Sequence, residues 1–355
     1  MRVLFIAADN VYLTPYLKYY EDIISKLDIE YDVLYWDKNS NEIIDDIKYI
    51  RFCIEGNSKF KKLIGYYKFK NKIISMCKFN KYDVIIPLHP IVSFIICKLL
   101  LNRYNGKYIY DVRDYSYEKY ALYRKCEKKL AENSLINVIS SEGFKNFLPN
   151  AKYHIVHNIT NMECDVYKQV ENSKEQVINV SYIGLIRFMD KNKEIIEFFK
   201  NDNRFHLNFI GTNAEQLKEF CDEVGAKNVT LIGTFDSKDT LKYYKKSDLI
   251  MNLYGNNTPL LDYALSNKLY YSALLYKPIL VCPKTYMEKM VKTYSLGFTL
   301  EMEKRSELDK LYEYITKLER KHFINDCDYF IENVLRENEE TRKYIEESFI
   351  ALKNK

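Results

Sequence analysis

The chain has 355 residues, enough for two domains at about 150 residues each. Hydrophobic residues are 47% and charged residues 29%, as in a soluble globular protein, and Lys plus Arg at 54 against Asp plus Glu at 49 leaves only +5, so where the charge lies matters more than its size. The eight cysteines include no Cys-x-x-Cys pair and no convincing zinc pattern with the histidines, so no metal is expected and the thiols read as reduced and structural, hence cytosolic. Met1-Arg2 leads straight into an apolar run, which predicts no signal peptide. The longest apolar stretch, Ile91 to Leu101, holds Lys98 and is too short to cross a bilayer.

Arg2 to Ala8 predicts a buried strand and Asp9-Asn10 a turn. Thr14-Pro15 predicts a helix start, threonine as cap and proline at the first position, running to about Leu27. Tyr31 to Tyr35 predicts the next strand, completing the opening of a Rossmann-like unit. Gly-x-Gly-x-x-Gly is absent, which argues against a dinucleotide, and no cofactor is expected. Asn57 to Lys81 carries Lys59, Lys61, Lys62, Lys68, Lys70, Lys72, Lys78 and Lys81 and no acid, interleaved with apolar and aromatic residues. It reads as a helix with an apolar face and a basic flank. Two readings stand side by side: an anionic membrane surface, or a helix packed on the sheet with solvated lysines. Nucleic acid is not an expected partner.

Asp83 to Pro87 predicts a strand, Pro90 to about Leu101 a helix, Tyr108 to Asp111 a strand, and Ser116 to Glu132 a long helix. Between the last two lies Asp111-Val112-Arg113-Asp114, charges at the carboxyl end of a buried strand, where α/β proteins place ligands. The same residues could equally be an Arg–carboxylate cluster that orders the loop. Leu135 to Ile139 is a further strand. Thr160 to Gln176 is polar and lacks periodicity, so it reads as a linker.

A second α/β series follows: strand Val177 to Ile183, turn Gly184 to Arg187, then Lys191 and Lys193 on a helix to about Phe199. Phe205 to Ile210 ends at Gly211-Thr212, Ala214 to Val224 is a helix closed by Gly225, and Val229 to Ile232 precedes Gly233-Thr234-Phe235. Ser237 to Ser247 reads as a helix, Asp248 to Leu253 as a strand, and Tyr254 to Leu265 as a loop. Asn267 to Val281 reads as helix, Lys277-Pro278 stop, and an apolar strand. Beyond Leu300 the chain is helical and charged, with Glu339 to Leu352 the final helix.

Asn267 to Val281 resembles the nucleotide-sugar segment of family 4 glycosyltransferases, enzymes of the two-Rossmann GT-B fold, whose pattern runs Pro-x-Lys-Leu-Phe-Glu-Tyr-Leu-Ala-x-Gly-Lys-Pro-Val. Lys268, Leu269, Lys277 and Pro278 match, Tyr271 stands where the family has Glu, and Tyr276 where it has Gly. Tyr110-Asp111-Val112-Arg113-Asp114, the Ser140-Ser141-Glu142 turn and Val156-His157-Asn158 resemble further family segments, as does Gly184 to Lys193 the family's Gly-Arg-Leu-x-x-x-Lys-Gly. The resemblance covers about Arg2 to Thr299.

It implies a GT-B chain of two Rossmann-like domains facing a cleft, with a C-terminal helix crossing back. The implied boundaries are 1–160 for the acceptor-side domain, 161–176 for the linker, 177–335 for the nucleotide-sugar domain and 336–355 for the last helix. The implied activity is metal-independent transfer of a sugar, with retention, from a nucleoside diphosphate sugar to a glycan or lipid-linked acceptor of bacterial surface polysaccharide, at or near the inner membrane. Arg187 with Lys191 or Lys193 would hold the diphosphate, supporting the charge that grows on the leaving group. Gly184, Gly211, Thr234, Phe235, Asp262, Lys268 and Tyr271 complete the implied donor set. Asp111, Arg113 and Asp114 are the implied catalytic group, and Asp9 and Asn10 the acceptor-side candidates, unless the last two merely bond within their turn. Both positions of the family's Glu-x7-Glu motif are tyrosine here, Tyr263 and Tyr271. One consequence is a donor without a ribose 2′-hydroxyl, such as a deoxythymidine diphosphate sugar. The alternatives are a non-catalytic GT-B partner subunit and, less favoured, a GT-B sugar-nucleotide epimerase.

Overall fold

The computed structural model describes residues 1–38, 40–54, 59–159 and 177–354. The expected linker at 161–176 lies outside them, as do Asn57 and Ser58 of the basic stretch. The chain divides into two compact units, Met1–Asn158 with Leu335–Lys355, and Ile159–Val334.

The first unit alternates strand and helix: β1 (Arg2–Ala7), α1 (Leu17–Lys26), β2 (Glu30–Asp37), β3 (Tyr49–Cys53), α2 (Lys59–Phe79), β4 (Val84–Pro87), α3 (Pro90–Ile95), α4 (Cys97–Arg103), β5 (Ile109–Val112), α5 (Ala121–Asn133), β6 (Ile136–Ile139) and β7 (His154–Ile155). All pairings are parallel, in the order β3-β2-β1-β4 and then β5-β6-β7, and one parallel bridge from Ile85 to Tyr108 joins the two sets. The apolar runs Val3 to Ala7 and Val84 to Ile86 are fully covered, which is why they read as continuous rather than alternating. α1 buries Leu17, Tyr20, Ile23 and Ile24, a helical repeat of one face. Each such side chain contributes roughly 1.5–3 kcal/mol.

Three local departures from the sequence expectation have clear causes. α1 starts at Leu17 because the Thr14 hydroxyl donates to the Asn10 carbonyl (3.2 Å) instead of capping, and Val11–Leu13 forms a separate single turn. α5 starts at Ala121 because the Glu118 carboxylate turns back to accept the Ser116 N–H (2.6 Å), closing a local turn. β3 was not expected; it is a half-covered edge strand five residues long, too short to show its alternation clearly.

The second unit comprises β8 (Ile178–Ile183), α6 (Met189–Phe199), β9 (Phe205–Ile210), α7 (Lys218–Glu223), β10 (Val229–Ile232), α8 (Thr240–Lys245), β11 (Leu249–Asn252), α9 (Pro259–Tyr263), α10 (Asn267–Leu274), β12 (Ile279–Val281), α11 (Tyr286–Thr293), β13 (Gly297–Thr299) and α12 (Ser306–Thr316). Its sheet is parallel throughout, in the order β10-β9-β8-β11-β12-β13. The last helix, α13 (Arg320–Lys353), is 34 residues long rather than beginning near Glu339. Its Phe323, Cys327, Phe330 and Val334 join the core of the second unit, and its Ile345 and Phe349 join that of the first. No described helix is long and apolar enough to cross a membrane.

Gly65 shows how tightly α2 is seated. A Cβ there would collide with the Trp36 indole, itself packed against Phe52, Tyr66 and Phe69. Glycine inside a helix ordinarily costs about 1 kcal/mol relative to alanine. Here Gly65→Ala is expected to destabilise instead, by about 1–3 kcal/mol of overpacking. A rise in the denaturation midpoint of that variant would show that α2 is not pressed on Trp36.

Candidate functional site

In the second sheet the chain runs from β8 outward through β9 and β10, then returns to β11 on the other side of β8. The gap between β8 and β11 is therefore the point where strand order reverses, and loops at its carboxyl edge are where open α/β sheets bind ligands. Gly184, Arg187, Tyr254 and Lys268 gather there.

The turn after β8 is held from several sides. Gly184 and Gly211 both adopt positive φ (114° and 137°), and a Cβ on Gly211 would collide with the Gly184 carbonyl, so the two backbones touch only because Gly211 lacks a side chain. The Ile186 N–H donates to the Thr212 carbonyl (3.0 Å), the Arg187 N–H to the Tyr182 hydroxyl (3.1 Å), and buried Asn192 donates to the Arg187 carbonyl (2.7 Å). Phe188 sits in the left-handed region (φ 58°, ψ 58°), a strained setting for a bulky residue, with its ring 5.5 Å from Tyr254. The result is a rigid backbone presenting an exposed Arg187 guanidinium that has no side-chain hydrogen bond or ion pair among the described residues.

Lys268 is the second cation. It lies one residue into α10, whose Ser266 cap accepts the Lys268 N–H (3.3 Å). Its ammonium donates to the Tyr254 hydroxyl (2.6 Å) and stands 4.5 Å from the Tyr182 ring centre. No carboxylate faces it among the described residues. Burial pulls the ammonium down to about 8, with the Tyr182 phenol opposing and the Arg187 charge assisting. Tyr182 and Tyr254 escaped the sequence reading because Tyr182 sits in a strand that looks like core and Tyr254 opens a segment read only as a loop.

The other donor-side residues separate by partner. Lys191 is paired with Glu194 (2.6 Å), and Lys193 lies over the Phe220 ring (5.5 Å). Thr234 shares a hydrogen bond with Thr212 (3.0 Å), and Phe235 stacks edge-on to Tyr243 (4.8 Å). Asp262, on the single turn α9, accepts the Asn257 N–H (2.8 Å) and so holds its own loop. Tyr263 closes α9. Tyr271 stacks on Tyr244, centroids 4.8 Å apart and 19° between planes.

In the first unit, Asp111 and Arg113 are both buried and form a two-pronged pair (2.6 and 2.8 Å). Tyr20 donates to the same carboxylate (2.7 Å), and Arg113 also donates to the Val156 carbonyl and Asn158 (both 2.9 Å) while standing 4.4 Å from the Tyr16 ring centre. This geometry braces β5 against the segment after β7. Asp114 is exposed. Asp9 pairs with Lys38 (2.9 Å). Asn10 is fully buried and donates to Asp37 (2.7 Å). Burial opposes ionisation of Asp37, but hydrogen bonds from Asn10, Arg51, Glu42 and Asn41 outweigh it and hold the carboxyl down to about 2. His89 at the end of β4 was not singled out from sequence. Its Nδ1 accepts the Ile91 N–H (3.1 Å), and burial, with Lys38 nearby, pulls it down to about 4, leaving a neutral ring with its proton on Nε2. Among the described residues no group of three acids, cysteines or histidines is placed to hold a metal ion.

No protein-family model matches the sequence, and no curated protein matches it. Solved structures do. Sucrose-phosphate synthase from Thermosynechococcus elongatus superposes with a TM-score of 0.74 at 11% identity, covering 99% of this chain and 100% of the other. HepE of Anabaena, solved with UDP and glucose, gives 0.69 at 12%, covering 97% and 99%. The lipopolysaccharide outer core galactosyltransferase WaaB gives 0.66 at 12%, again 97% and 99%. The fold is GT-B. At these identities the GT-B likeness speaks for the architecture: two α/β units with parallel sheets.

The two unbalanced cations make a measurable demand. Anion binding favours charged Lys268 and raises its pKa, so affinity must fall as pH rises through about 8. Pyrophosphate binding followed by calorimetry is expected to weaken up to about tenfold per pH unit above that point. Lys268→Met is expected to bind more weakly at pH 7 and to lose the dependence. A native profile flat from pH 7 to 10 would remove Lys268 from the anion site.

Proposed function

We propose that this chain is a glycosyltransferase that takes a sugar from a nucleoside diphosphate donor and passes it to a glycan or lipid-linked acceptor of a bacterial surface polysaccharide. The observation that carries the reading is the pair Arg187 and Lys268, two cations with no carboxylate partner among the described residues, at the reversal point of the second sheet. A leaving nucleoside diphosphate gains negative charge as the sugar–oxygen bond breaks. Cations held on rigid backbone stabilise that charge more than the ground state, with no reorganisation at the moment of reaction. HepE, a structural neighbour solved with UDP and with UDP-glucose, supports a nucleotide-sugar donor.

Arg187 and Lys268 are assigned to the diphosphate, with Lys191 and Lys193 as outer charges released from Glu194 and Phe220 when the donor binds. Gly184 and Gly211 allow close approach of the backbone, Thr234 and Phe235 meet the nucleoside, and Asp262 and Tyr271 border it. On the acceptor side, exposed Asp114 takes the acceptor proton, Asp111 and Arg113 hold the loop that carries it, and Asp9 and Asn10 border the acceptor. The reaction is proposed to retain configuration, to need no metal, and to occur at the cytoplasmic side of the inner membrane, with contact through Asn57 to Lys81.

One observation favours a second reading, a non-catalytic GT-B partner subunit. Tyr271 offers a ring already stacked on Tyr244 where a glutamate would grip ribose, and Asp262 is engaged by Asn257.

The separating experiment is a calorimetric screen of UDP, GDP, dTDP, CMP and their sugar conjugates, repeated with Arg187→Ala. One nucleotide is expected to bind selectively, and to weaken at least about tenfold in the variant, about 1.4 kcal/mol. Preference for dTDP over UDP would agree with the missing ribose carboxylates. Binding of none would favour the partner subunit. Asp114→Asn is expected to keep nucleotide binding while reducing transfer by about 10²–10⁴-fold; full transfer by that variant would exclude Asp114 as the base.

A further inference from the structure

The helix α2 has two apolar faces. Phe69, Ile73, Met76 and Cys77 are buried in the first unit. Leu63, Tyr67 and Ile74 recur at i, i+4 and i+11, which puts them on one stripe turned away from the buried face, with Leu63 and Tyr67 exposed at 68% and 67%. One stripe suffices to seat a helix on a sheet; the second stands in solvent.

Charge surrounds that stripe. Residues 59–82 contain no Asp or Glu, and among the described residues Lys62, Lys68, Lys70, Lys72, Lys78 and Lys81 have no ion-pair partner. The amino-terminal half of α2 lies at the carboxyl edge of the first sheet, because the helix follows β3 and all strands there are parallel. The loop after β1 and the segment from β5 into the first turn of α5 leave the same edge and expose Leu13, Tyr120 and Leu122, the last at 75%. Tyr66 packs edge-on to Trp36 (5.0 Å), and Lys38 stands over the same indole (5.4 Å) while pairing with Asp9 (2.9 Å), which ties α2 to the loop after β1. Scattered exposed leucines are ordinary; an apolar stripe on one helix, bordered by cations and joined at one sheet edge by further exposed apolar residues, marks an interaction surface.

We infer that this edge and the outer stripe of α2 rest on an anionic bilayer, the leucines and tyrosines entering the headgroup layer and the lysines meeting lipid phosphates. The aliphatic residues decide for lipid. Single-stranded nucleic acid is held by cations with aromatic rings that stack on bases, and Leu13, Leu63, Ile64, Ile74 and Leu122 would gain nothing there. The inference deepens the proposed function, since it would bring the enzyme to a lipid-linked acceptor, but the binding itself needs no nucleotide.

The test is co-sedimentation of the full chain with vesicles of phosphatidylcholine alone or with one-third phosphatidylglycerol. Partition is expected to be at least about tenfold stronger on the anionic vesicles and to fall with added salt. Lys62→Glu/Lys68→Glu/Lys72→Glu is expected to lose about a hundredfold. Leu63→Ser/Tyr67→Ser should lose about tenfold or more. Unchanged circular dichroism and thermal midpoint would show that these variants, all at exposed positions, remain folded. Equal partition to both vesicles, variants that partition like the native chain, or tighter binding to a single-stranded oligonucleotide than to the vesicles would each overturn the inference. Anionic-vesicle binding by a chain that binds no nucleotide would leave the inference standing and count against the glycosyltransferase reading instead.

Discussion

A buried ammonium without a carboxylate is the constraint from which the second unit is best understood. Taking a charge out of water costs several kcal/mol unless it is paired. Among the described residues Lys268 has a phenol oxygen at 2.6 Å and the ring faces of Tyr182 (4.5 Å) and Tyr254 (5.3 Å) to replace its hydration. Arg187 nearby makes the charged state harder to keep. The surroundings nonetheless hold both residues firmly: the paired glycines, the left-handed Phe188, buried Asn192 and the Tyr182 hydroxyl all locate the turn that carries Arg187. Positive charge concentrated on rigid backbone in this way is the arrangement on which the proposed diphosphate site rests.

The first unit shows the opposite use of the same place in an α/β fold. Arg113 and Asp111 also stand at the carboxyl end of a buried strand, yet each is saturated by the other and by Tyr20, Val156 and Asn158. Removing either would leave an uncompensated buried charge, so their contribution is to hold the loop that presents Asp114. Position at a strand end therefore nominates a charge for function, and its partners decide whether it is available.

The basic helix joins the two themes. Its inner face is fixed by Gly65 against Trp36, which sets the rotation of the whole helix about its axis. With that rotation set, Leu63 and Tyr67 must point outward along with the lysines, and the loop after β1 and the segment from β5 into the first turn of α5 add their own exposed side chains to the same edge. The packed-helix reading holds for the inner side of α2, where Phe69, Ile73, Met76 and Cys77 are buried, and the membrane face is proposed for the outer side.

What the sequence determined by itself was local and periodic. Continuous apolar runs such as Val3 to Ala7 and Ile279 to Val281, helical repeats such as Leu17 to Ile24, and the Lys277-Pro278 stop marked two parallel α/β series, because burial and proline sterics act within a few residues. Motif order was enough to nominate Arg187 and Lys268. Tertiary structure alone decided partnership: that Lys191 meets Glu194 while the Arg187 guanidinium has no partner among the described residues, that Asp111 and Arg113 satisfy one another, and that Tyr182 and Tyr254, some seventy residues apart, close around Lys268. The availability of a charge depends on side chains arriving from distant strands, and the strand order that brings them together is not written in any single stretch of the chain.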